Sequence, residues 1–311
     1  MMMGSHWLSR LRTRINRRPK HSRNRSTEVL EQRTLLTVNA LFNNGTLIVQ
    51  SDAADAIVLG SSAGVVTLEV NGVLDTSLAP IMANTVESIL ITGSDADNTI
   101  DITNVTAGGF SFTDGMGNPV TIDVDAKDGN DTLLGSLDLV ATLRGGDGND
   151  TITSVAPADI LFGGDGDDVI TGGAGDDSID AGDGADQVAG NTGDDTIVAG
   201  DGADIVSGGD GLDSILGGDG ADVITGDAGE DTINGEFGDD IINGNDGDDS
   251  LLGGNDNDMI FGDAGLDFID GGQGDDILNG GVDDDAIFGS AGNDILSGNE
   301  DNDLLHGDLG N

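Results

Sequence analysis

Residues 163–171 read GGDGDDVIT, and residues 217–225 read GGDGADVIT. The same nine-residue pattern recurs in one register from Gly145 to His306, with aspartate at position 6 and a large apolar residue at position 8 of all eighteen units. A fixed period of this kind indicates a solenoid, because each unit buries its apolar side chain only by stacking on its neighbours. Stacked carboxylates repel one another, so an aspartate in every unit indicates a cation between them.

Glycine occupies most of positions 1, 2 and 4, and glycine tolerates positive φ angles. We therefore predict that the first six residues of a unit form a tight turn and the last three form a short strand. The middle residue of that strand faces the core. Two units make one coil, so residues i and i+18 lie one above the other, about 4.8 Å apart. The predicted fold class is an all-β solenoid.

The recurring polar groups are all oxygen, from aspartate carboxylates and turn carbonyls. The sequence has no cysteine, and no histidine lies between His21 and His306. Cages of six or more oxygen ligands suit Ca²⁺, whereas zinc and copper favour nitrogen or sulfur. Each edge of the solenoid carries a row of nine aspartates with eight vertical pairs, so the sequence offers up to about sixteen Ca²⁺ sites.

These units resemble the RTX (haemolysin-type) calcium-binding nonapeptide GGxGxDxUx, in which U is a large apolar residue. The resemblance covers residues 145–306 and implies a parallel β-roll in which position-6 carboxylates and turn carbonyls of adjacent coils hold calcium. The unit SVAPADILF at 154–162 keeps Asp159 but loses its glycines, so we leave Asp159 out of the ligand set. The implied metal ligands are the carboxylates of Asp150, Asp168, Asp177, Asp186, Asp195, Asp204, Asp213, Asp222, Asp231, Asp240, Asp249, Asp258, Asp267, Asp276, Asp285, Asp294 and Asp303, and the carbonyls of Gly164, Gly166, Gly218 and Gly220.

The charge of the chain is strongly negative and uneven. The net charge is −48 overall, and residues 34–311 carry 57 acidic groups against Lys127 and Arg144, a net of −55. Because such repulsion opposes a compact state, and about sixteen Ca²⁺ would cancel about +32 of it, we expect calcium binding and folding to be one event. A disordered chain is the alternative that composition alone favours, and it stays open for the calcium-free state. The acidity argues against nucleic acid as a partner.

Composition divides the chain into four parts. Residues 1–33 hold nine of the 11 basic residues and are predicted to be a disordered export or sorting tail, with a secretory n-region and a transit peptide as alternatives. Residues 34–125 are predicted to be a β-rich N-terminal domain or cap, residues 126–144 degenerate repeats, and residues 145–311 the calcium-binding roll. The candidate strands before the roll are TLIVQ (46–50), AIVL (56–59), VVTLEV (65–70), VESILIT (86–92), TIDIT (99–103) and VTIDV (120–124), with Asn71-Gly72 as a hairpin turn.

The stretch EVLEQRTLLTV at 28–38 resembles a short motif, LExRxLLS, near the N-terminus of planctomycete extracellular proteins, with Thr37 in place of the usual serine. Together with the calcium repeat, this resemblance implies export and a secreted or cell-surface location. The sequence has no run of 18 apolar residues, so we predict no transmembrane segment.

Residues 34–144 contain no His, Cys or Tyr, which removes a Ser-His-Asp triad and a zinc site of the HExxH kind, and we predict that the protein is not an enzyme. Position 3 carries Asp in seven units and Thr only at Thr192, which argues against an ice-binding face. The predicted function is that of a calcium-binding extracellular or cell-surface protein with a structural or adhesive role. The alternative is a calcium-dependent secretion or folding module of a secreted hydrolase-type protein. Besides calcium ions, the expected partners are the cell envelope or a second copy that stacks on an open C-terminal edge at GDLGN (307–311), with a truncated sequence as the alternative explanation of that edge.

Overall fold

The apolar side chain at position 8 of each nonapeptide points into one core that runs along the molecule. The structure, a computed structural model, describes residues 38–43, 46–62, 65–74, 86–106 and 121–307. All regular structure in these residues is β-strand, and no helix that could cross a membrane occurs among them. The predicted tail at 1–33 and most of the motif at 28–38 lie outside the described residues and stay predictions.

In chain order, the strands are β1 (Asn39–Asn43), β2 (Thr46–Gln50), β3 (Ala56–Ser62), β4 (Val65–Val70), β5 (Val73–Leu74), β6 (Ser88–Thr92), β7 (Thr99–Asn104), β8 (Thr121–Asp128), β9 (Thr132–Leu134), β10 (Ala141–Asp147), β11 (Thr151–Thr153), β12 (Ile160–Asp165), β13 (Val169–Ala174), β14 (Ser178–Asp183), β15 (Gln187–Thr192), β16 (Thr196–Asp201), β17 (Ile205–Asp210), β18 (Ser214–Asp219), β19 (Val223–Ala228), β20 (Thr232–Phe237), β21 (Ile241–Asp246), β22 (Ser250–Asn255), β23 (Met259–Ala264), β24 (Phe268–Gln273), β25 (Ile277–Val282), β26 (Ala286–Phe288), β27 (Ile295–Asn299) and β28 (Leu304–His306).

The strands form two sheets that face each other across the core. The first sheet has the order β1-β2-β6-β8 and then every even strand to β28. The second runs from β27 back through every odd strand to β7, and ends β3-β4-β5. From β6 onward, neighbouring strands pair in parallel. Ile152 pairs with Ile170 and Leu161 with Ile179, which is the predicted spacing of eighteen residues per coil. The predicted all-β parallel roll is confirmed.

The strands of the roll are longer than the three residues predicted. Most run for six residues, from position 7 of one unit to position 3 of the next, as in Val169–Ala174. Glycines at positions 1 and 2 remain in the ladder because they pair with their counterparts one coil away, as Gly146 does with Gly164. Only positions 4 to 6 form the turn. As a result, the inward-facing residues of a unit are Asp168, Ile170 and then Gly172, at alternate positions.

The position-8 residues of the roll make a dry central column. All of them from Ile152 to Ile287 are buried, whereas Leu305 in the last described coil is exposed. Burying a side chain of this size contributes about 1.5–3 kcal/mol, so the column is the main apolar contribution to stability in each coil. Each roll strand supplies only one such residue, because position 1, the other inward position, is glycine or another small residue.

The coils that precede the repeats share the same two sheets but are built differently. Strands β2, β6 and β8 continue the first sheet, and β3, β7 and β9 continue the second. Antiparallel pairing of β1 with β2 and of β4 with β3 ends the two sheets on this side. The predicted strands at 46–50 and 65–70 are confirmed as β2 and β4, and the Asn71-Gly72 turn joins β4 to β5.

Candidate metal centre

A row of buried carboxylates follows each edge of the roll. We call the two rows the aspartate ladder; it comprises Asp131 and every ninth residue from Asp150 to Asp303. The backbone N–H of each aspartate donates to the Oδ1 of the aspartate one coil later, as in Asp168 to Asp186 at 2.7 Å and Asp222 to Asp240 at 2.8 Å. Along the ladder, these N···O distances are 2.6–3.1 Å. One oxygen of each carboxylate is therefore held by the neighbouring coil.

Within the part of the chain that the structure describes, the second carboxylate oxygen, Oδ2, has no hydrogen-bond partner in most of the ladder. This oxygen is buried and without a hydrogen bond in Asp150, Asp168, Asp177, Asp186, Asp195, Asp204, Asp213, Asp222, Asp231, Asp240, Asp249, Asp258, Asp267, Asp276, Asp285 and Asp294. Burying an anionic oxygen without a hydrogen-bond partner destabilises the folded state, and native proteins rarely contain such an oxygen. A series of sixteen points to a ligand that the polypeptide does not supply.

No basic side chain of the described residues pairs with these carboxylates. The only Lys and Arg side chains among the described residues, Lys127 and Arg144, pair with Asp125 and Asp123 near the sheet surface. No group of three or more His, Cys, Asp or Glu side chains converges on one point in the described ranges. A cation bound at the ladder would therefore contact at most two carboxylates and would take its other protein ligands from the backbone.

The turn carbonyls point from one coil toward the next. A Cβ on Gly182 would lie 2.1 Å from the Gly164 carbonyl oxygen, and a Cβ on Gly184 would lie 2.1 Å from that of Gly166. Glycine leaves room for these carbonyls and stands at positions 2 and 4 of most units, although Asn191, Asp227 and Glu236 occupy position 2 with positive φ in others. Gly218 and Gly220 repeat the arrangement. A Cβ on Gly218 would lie 2.0 Å from a carbonyl oxygen of the preceding coil, and a Cβ on Gly220 would lie 1.3 Å from another.

Oxygen atoms also border the space above the position-1 glycine. A Cβ on Gly163 would lie 2.2 Å from Asp168 Oδ2 and 2.3 Å from the carbonyl oxygen of Ala181 in the next coil. The same pairing of an Oδ2 with a carbonyl recurs at Gly217, beside Asp222 and the Gly235 carbonyl, at 2.6 and 2.7 Å. A lining of carboxylate and carbonyl oxygens fits calcium, which takes hard oxygen ligands in flexible geometry.

Burial makes the ladder carboxylates from Asp131 to Asp285 unusually weak acids. It raises the pKa of Asp168, Asp231 and Asp258 to about 7, while the N–H bond from the neighbouring coil lowers the pKa and neighbouring carboxylates raise it further. The pKa of Asp222 and Asp240 rises to about 6 for the same reason. Without a cation, the folded roll therefore disfavours the charged form of the very groups that line its edges.

Asp159, which we left out of the ligand set, differs from the rest of the ladder. Its Oδ1 accepts from the Ala141 N–H at 2.6 Å, in the usual way. Its Oδ2, however, accepts a hydrogen bond from the hydroxyl of Ser154, which stands at position 1 in place of glycine. The serine hydroxyl thus fills the role that a cation would have. Asp303, at the other end, is only half-buried and accepts from the Asp285 N–H at 3.1 Å.

Sequence reasoning missed Asp131. This residue is buried, its Oδ2 has no partner, and its backbone N–H donates to Asp150 Oδ1 at 2.7 Å, so it extends the ladder by one coil. The spacing to Asp150 is nineteen residues, one more than a coil of the roll, which takes Asp131 out of the nine-residue register. The turn residues Gly129 and Asn130 directly before it were the available signal.

A second, outer set of side chains was also missed. Asp or Asn at position 5 accepts a hydrogen bond from the position-5 N–H of the next coil, as Asp239 does from Asn257 and Asp275 from Asn293, at 2.9 and 2.8 Å. These bonds lower the pKa of both carboxyls. The outer side chains are exposed and already have partners, so they tie the turns together and do not call for a cation.

The comparison with known families agrees with this geometry. A family model described as the RTX calcium-binding nonapeptide repeat (four copies) matches residues 142–154, 158–188, 180–215, 189–224, 216–251, 252–287 and 279–311, more than half of the chain. The chain belongs to the RTX calcium-binding repeat family. No curated protein matches it.

Membership in the family confirms that this is a calcium-binding repeat protein with a β-roll. The matched segments leave out 155–157, inside the unit in which Ser154 contacts Asp159, and they do not reach Asp131. The family model describes a structural calcium-binding repeat and not a catalytic domain. RTX repeats are typical of secreted proteins. The resemblance at 28–38 to planctomycete proteins stays a prediction.

Proposed function

We propose that this RTX protein is a non-catalytic, extracellular structural or adhesive protein whose roll is held together by calcium bound between successive aspartates of the ladder. The ligands are the Oδ2 atoms of the ladder, from Asp131 onward without Asp159, and turn carbonyls such as those of Gly164 and Gly166. When bound, calcium supplies positive charge between coils that otherwise repel each other. The chain's own residues orient it: backbone N–H groups hold each Oδ1, so each Oδ2 stays directed at the site.

The series of buried Oδ2 atoms without partners carries this proposal. In the described residues, no lysine or arginine reaches them, and the carbonyls around them face the neighbouring coil. Because each coil contacts only its neighbours, a cation that joins two coils stabilises the next step of the stack as well. Calcium then sets the length of ordered roll, and so the reach of the protein outside the cell.

Changing one ladder residue to its amide tests the ligand assignment. Asp222→Asn keeps an oxygen for the Asp204 N–H but replaces Oδ2 with an NH₂ group, so the sites on either side of it should weaken by at least about tenfold. Calcium bound at saturation, counted by equilibrium dialysis, should fall by one or two ions per chain.

Asp159→Asn is the matched control for this experiment. Ser154 already occupies the Asp159 Oδ2, so this variant should bind as much calcium as the unchanged protein. Equal calcium counts for Asp222→Asn and the unchanged protein, or equal losses in both variants, would remove the ladder from the ligand set.

The extracellular location rests on the basic segment 1–33, the motif at 28–38 and the family's association with secreted proteins. Millimolar calcium outside cells loads weak sites that cytosolic levels leave empty. Deleting residues 1–38 should therefore keep the product inside the cell, as assayed by fractionation of a producing host. Export of the truncated chain at the normal level would show that the segment is not the signal.

A further inference from the structure

The turns before Asp131 contain their own substitutes for a cation. Asn98 stands where the roll has aspartate, and its side-chain amide donates to the carbonyl oxygens of Ser94, at 3.1 Å, and Ala96. The same amide donates to Asp131 Oδ1 at 3.3 Å. Two carbonyls of one turn and a carboxylate of the next coil thus converge on a nitrogen of the protein.

Asp55, one coil earlier, is satisfied in a different way. The Ser51 hydroxyl donates to its Oδ2 at 2.7 Å, and the Asn71 amide donates to its Oδ1 at 2.8 Å. Asp55 is buried, so these two bonds replace the solvent that its carboxylate has lost. Asn71 belongs to the hairpin turn after β4, which ties the end of the second sheet to this carboxylate.

On the opposite edge of the solenoid, serine hydroxyls make the hydrogen bonds that replace a cation. Ser136 is fully buried; its hydroxyl donates to the Val105 carbonyl of the coil before it, at 2.6 Å, and accepts from the Leu139 N–H at 3.1 Å. Ser154, one coil later, donates to Asp159. In the described residues before Asp131, with gaps at 44–45, 63–64, 75–85 and 107–120, no buried side-chain oxygen or nitrogen lacks a partner.

The same coils have a larger core and less charge. Strands β2, β6, β7 and β8 each bury two large apolar side chains, such as Leu47 with Val49 and Ile100 with Ile102, where a roll strand buries one. Residues 38–130 carry 12 carboxylates, whereas residues 131–307 carry 44. Each additional buried side chain of this size stabilises the folded state further, so these coils gain more from burial and lose less to repulsion.

We propose that the described coils before Asp131 fold without calcium and form a preordered platform on which the calcium-dependent coils stack in turn, starting at Asp131. The proposal rests on the proposed function, since it divides the solenoid into a calcium-independent and a calcium-dependent part. In a solenoid, the first coil is the costly one because it has no neighbour to stack on. A platform removes that cost and gives the roll a fixed starting end.

Hydrogen exchange of the full chain, followed by mass spectrometry with EDTA and then with calcium, tests the division. In EDTA, peptides covering 46–50, 65–70 and 88–104 should exchange at least about tenfold more slowly than peptides covering 169–306. In calcium, both groups should be protected. Fast exchange of every peptide in EDTA with full protection in calcium would overturn the platform and leave calcium-driven folding of the roll intact. Full protection of every peptide in EDTA would overturn both the platform and the calcium-driven folding of the roll.

Asn98→Asp provides the matched variant. It replaces the amide that binds Ser94 and Ala96 with a carboxylate, so protection of 88–104 in EDTA should be lost and should return with calcium. Asp222→Asn, far along the roll, should leave the protection of 88–104 in EDTA unchanged. Unaltered protection of 88–104 in Asn98→Asp without calcium would show that the amide does not replace a cation there.

Discussion

Removing calcium is expected to abolish most of the strand signal of this protein in far-UV circular dichroism. Residues 34–311 carry a net charge of −55, and the ladder, with Asp131, places seventeen carboxylate oxygens without a hydrogen-bond partner among the described residues inside the solenoid. Bound calcium offsets the net negative charge and supplies a partner for these oxygens. Its removal with EDTA should therefore leave only the strand signal of the N-terminal coils. Adding calcium back should restore the full signal cooperatively, because neighbouring coils share interfaces.

Magnesium is the control for this experiment. It prefers near-ideal octahedral geometry and keeps several of its waters, so it fits poorly between two carboxylates and fixed carbonyls. The same concentration of Mg²⁺ should therefore restore little strand signal. A complete strand signal in EDTA, or equal recovery with Mg²⁺, would contradict calcium-driven folding of the roll.

Acid is expected to order the calcium-free chain. Burial raises the pKa of Asp168 and Asp258 to about 7 in the folded roll, against an ordinary value of 3.8 in the unfolded chain. The folded state therefore binds more protons than the unfolded state at pH values between these two. This contribution to stability is fully present below the unfolded pKa and is lost as the pH rises through the folded pKa.

In EDTA, the strand signal should accordingly be low at about pH 8 and should increase as the pH falls from about 7 toward 4. Protons also compete with calcium for the same carboxylates, so the effect of calcium on the strand signal should shrink as the pH falls, and the signals with and without calcium should converge toward pH 4. A calcium-free signal that stays flat or falls over this range would contradict the unpaired, buried state of the ladder.

The repeat register was readable from the sequence because one physical constraint fixes it. Aspartate at position 6 and an apolar residue at position 8 face the same side of a strand, and the spacing of eighteen residues follows from two units per coil. Backbone pairing was harder to predict: glycines at positions 1 and 2 look like turn residues, but they pair across coils and lengthen the strand to six residues.

The start of the ladder could not be predicted from the repeat, because the earlier coils do not keep its length. Ile152 pairs with Leu133, which lies nineteen residues earlier in the sequence. Leu133 in turn pairs with Ile100, which lies thirty-three residues before it. Coils of variable length hide the position of Asp131 in the sequence. The contacts of Ser154 with Asp159 and of Asn98 with Ala96 are local. Serine and asparagine in a turn commonly make ordinary local hydrogen bonds, so the sequence does not mark these two residues as replacing a cation.

The central claim is that the partnerless Oδ2 atoms of the ladder are calcium ligands. A crystal structure of the calcium-loaded protein, with anomalous scattering measured from calcium, tests it most directly. We expect anomalous peaks between successive coils next to the Oδ2 of residues such as Asp168, Asp222 and Asp258, and no peak between Asp159 and Ser154. Peaks confined to the exposed aspartates of the outer turns, with none next to the buried Oδ2 atoms, would contradict it.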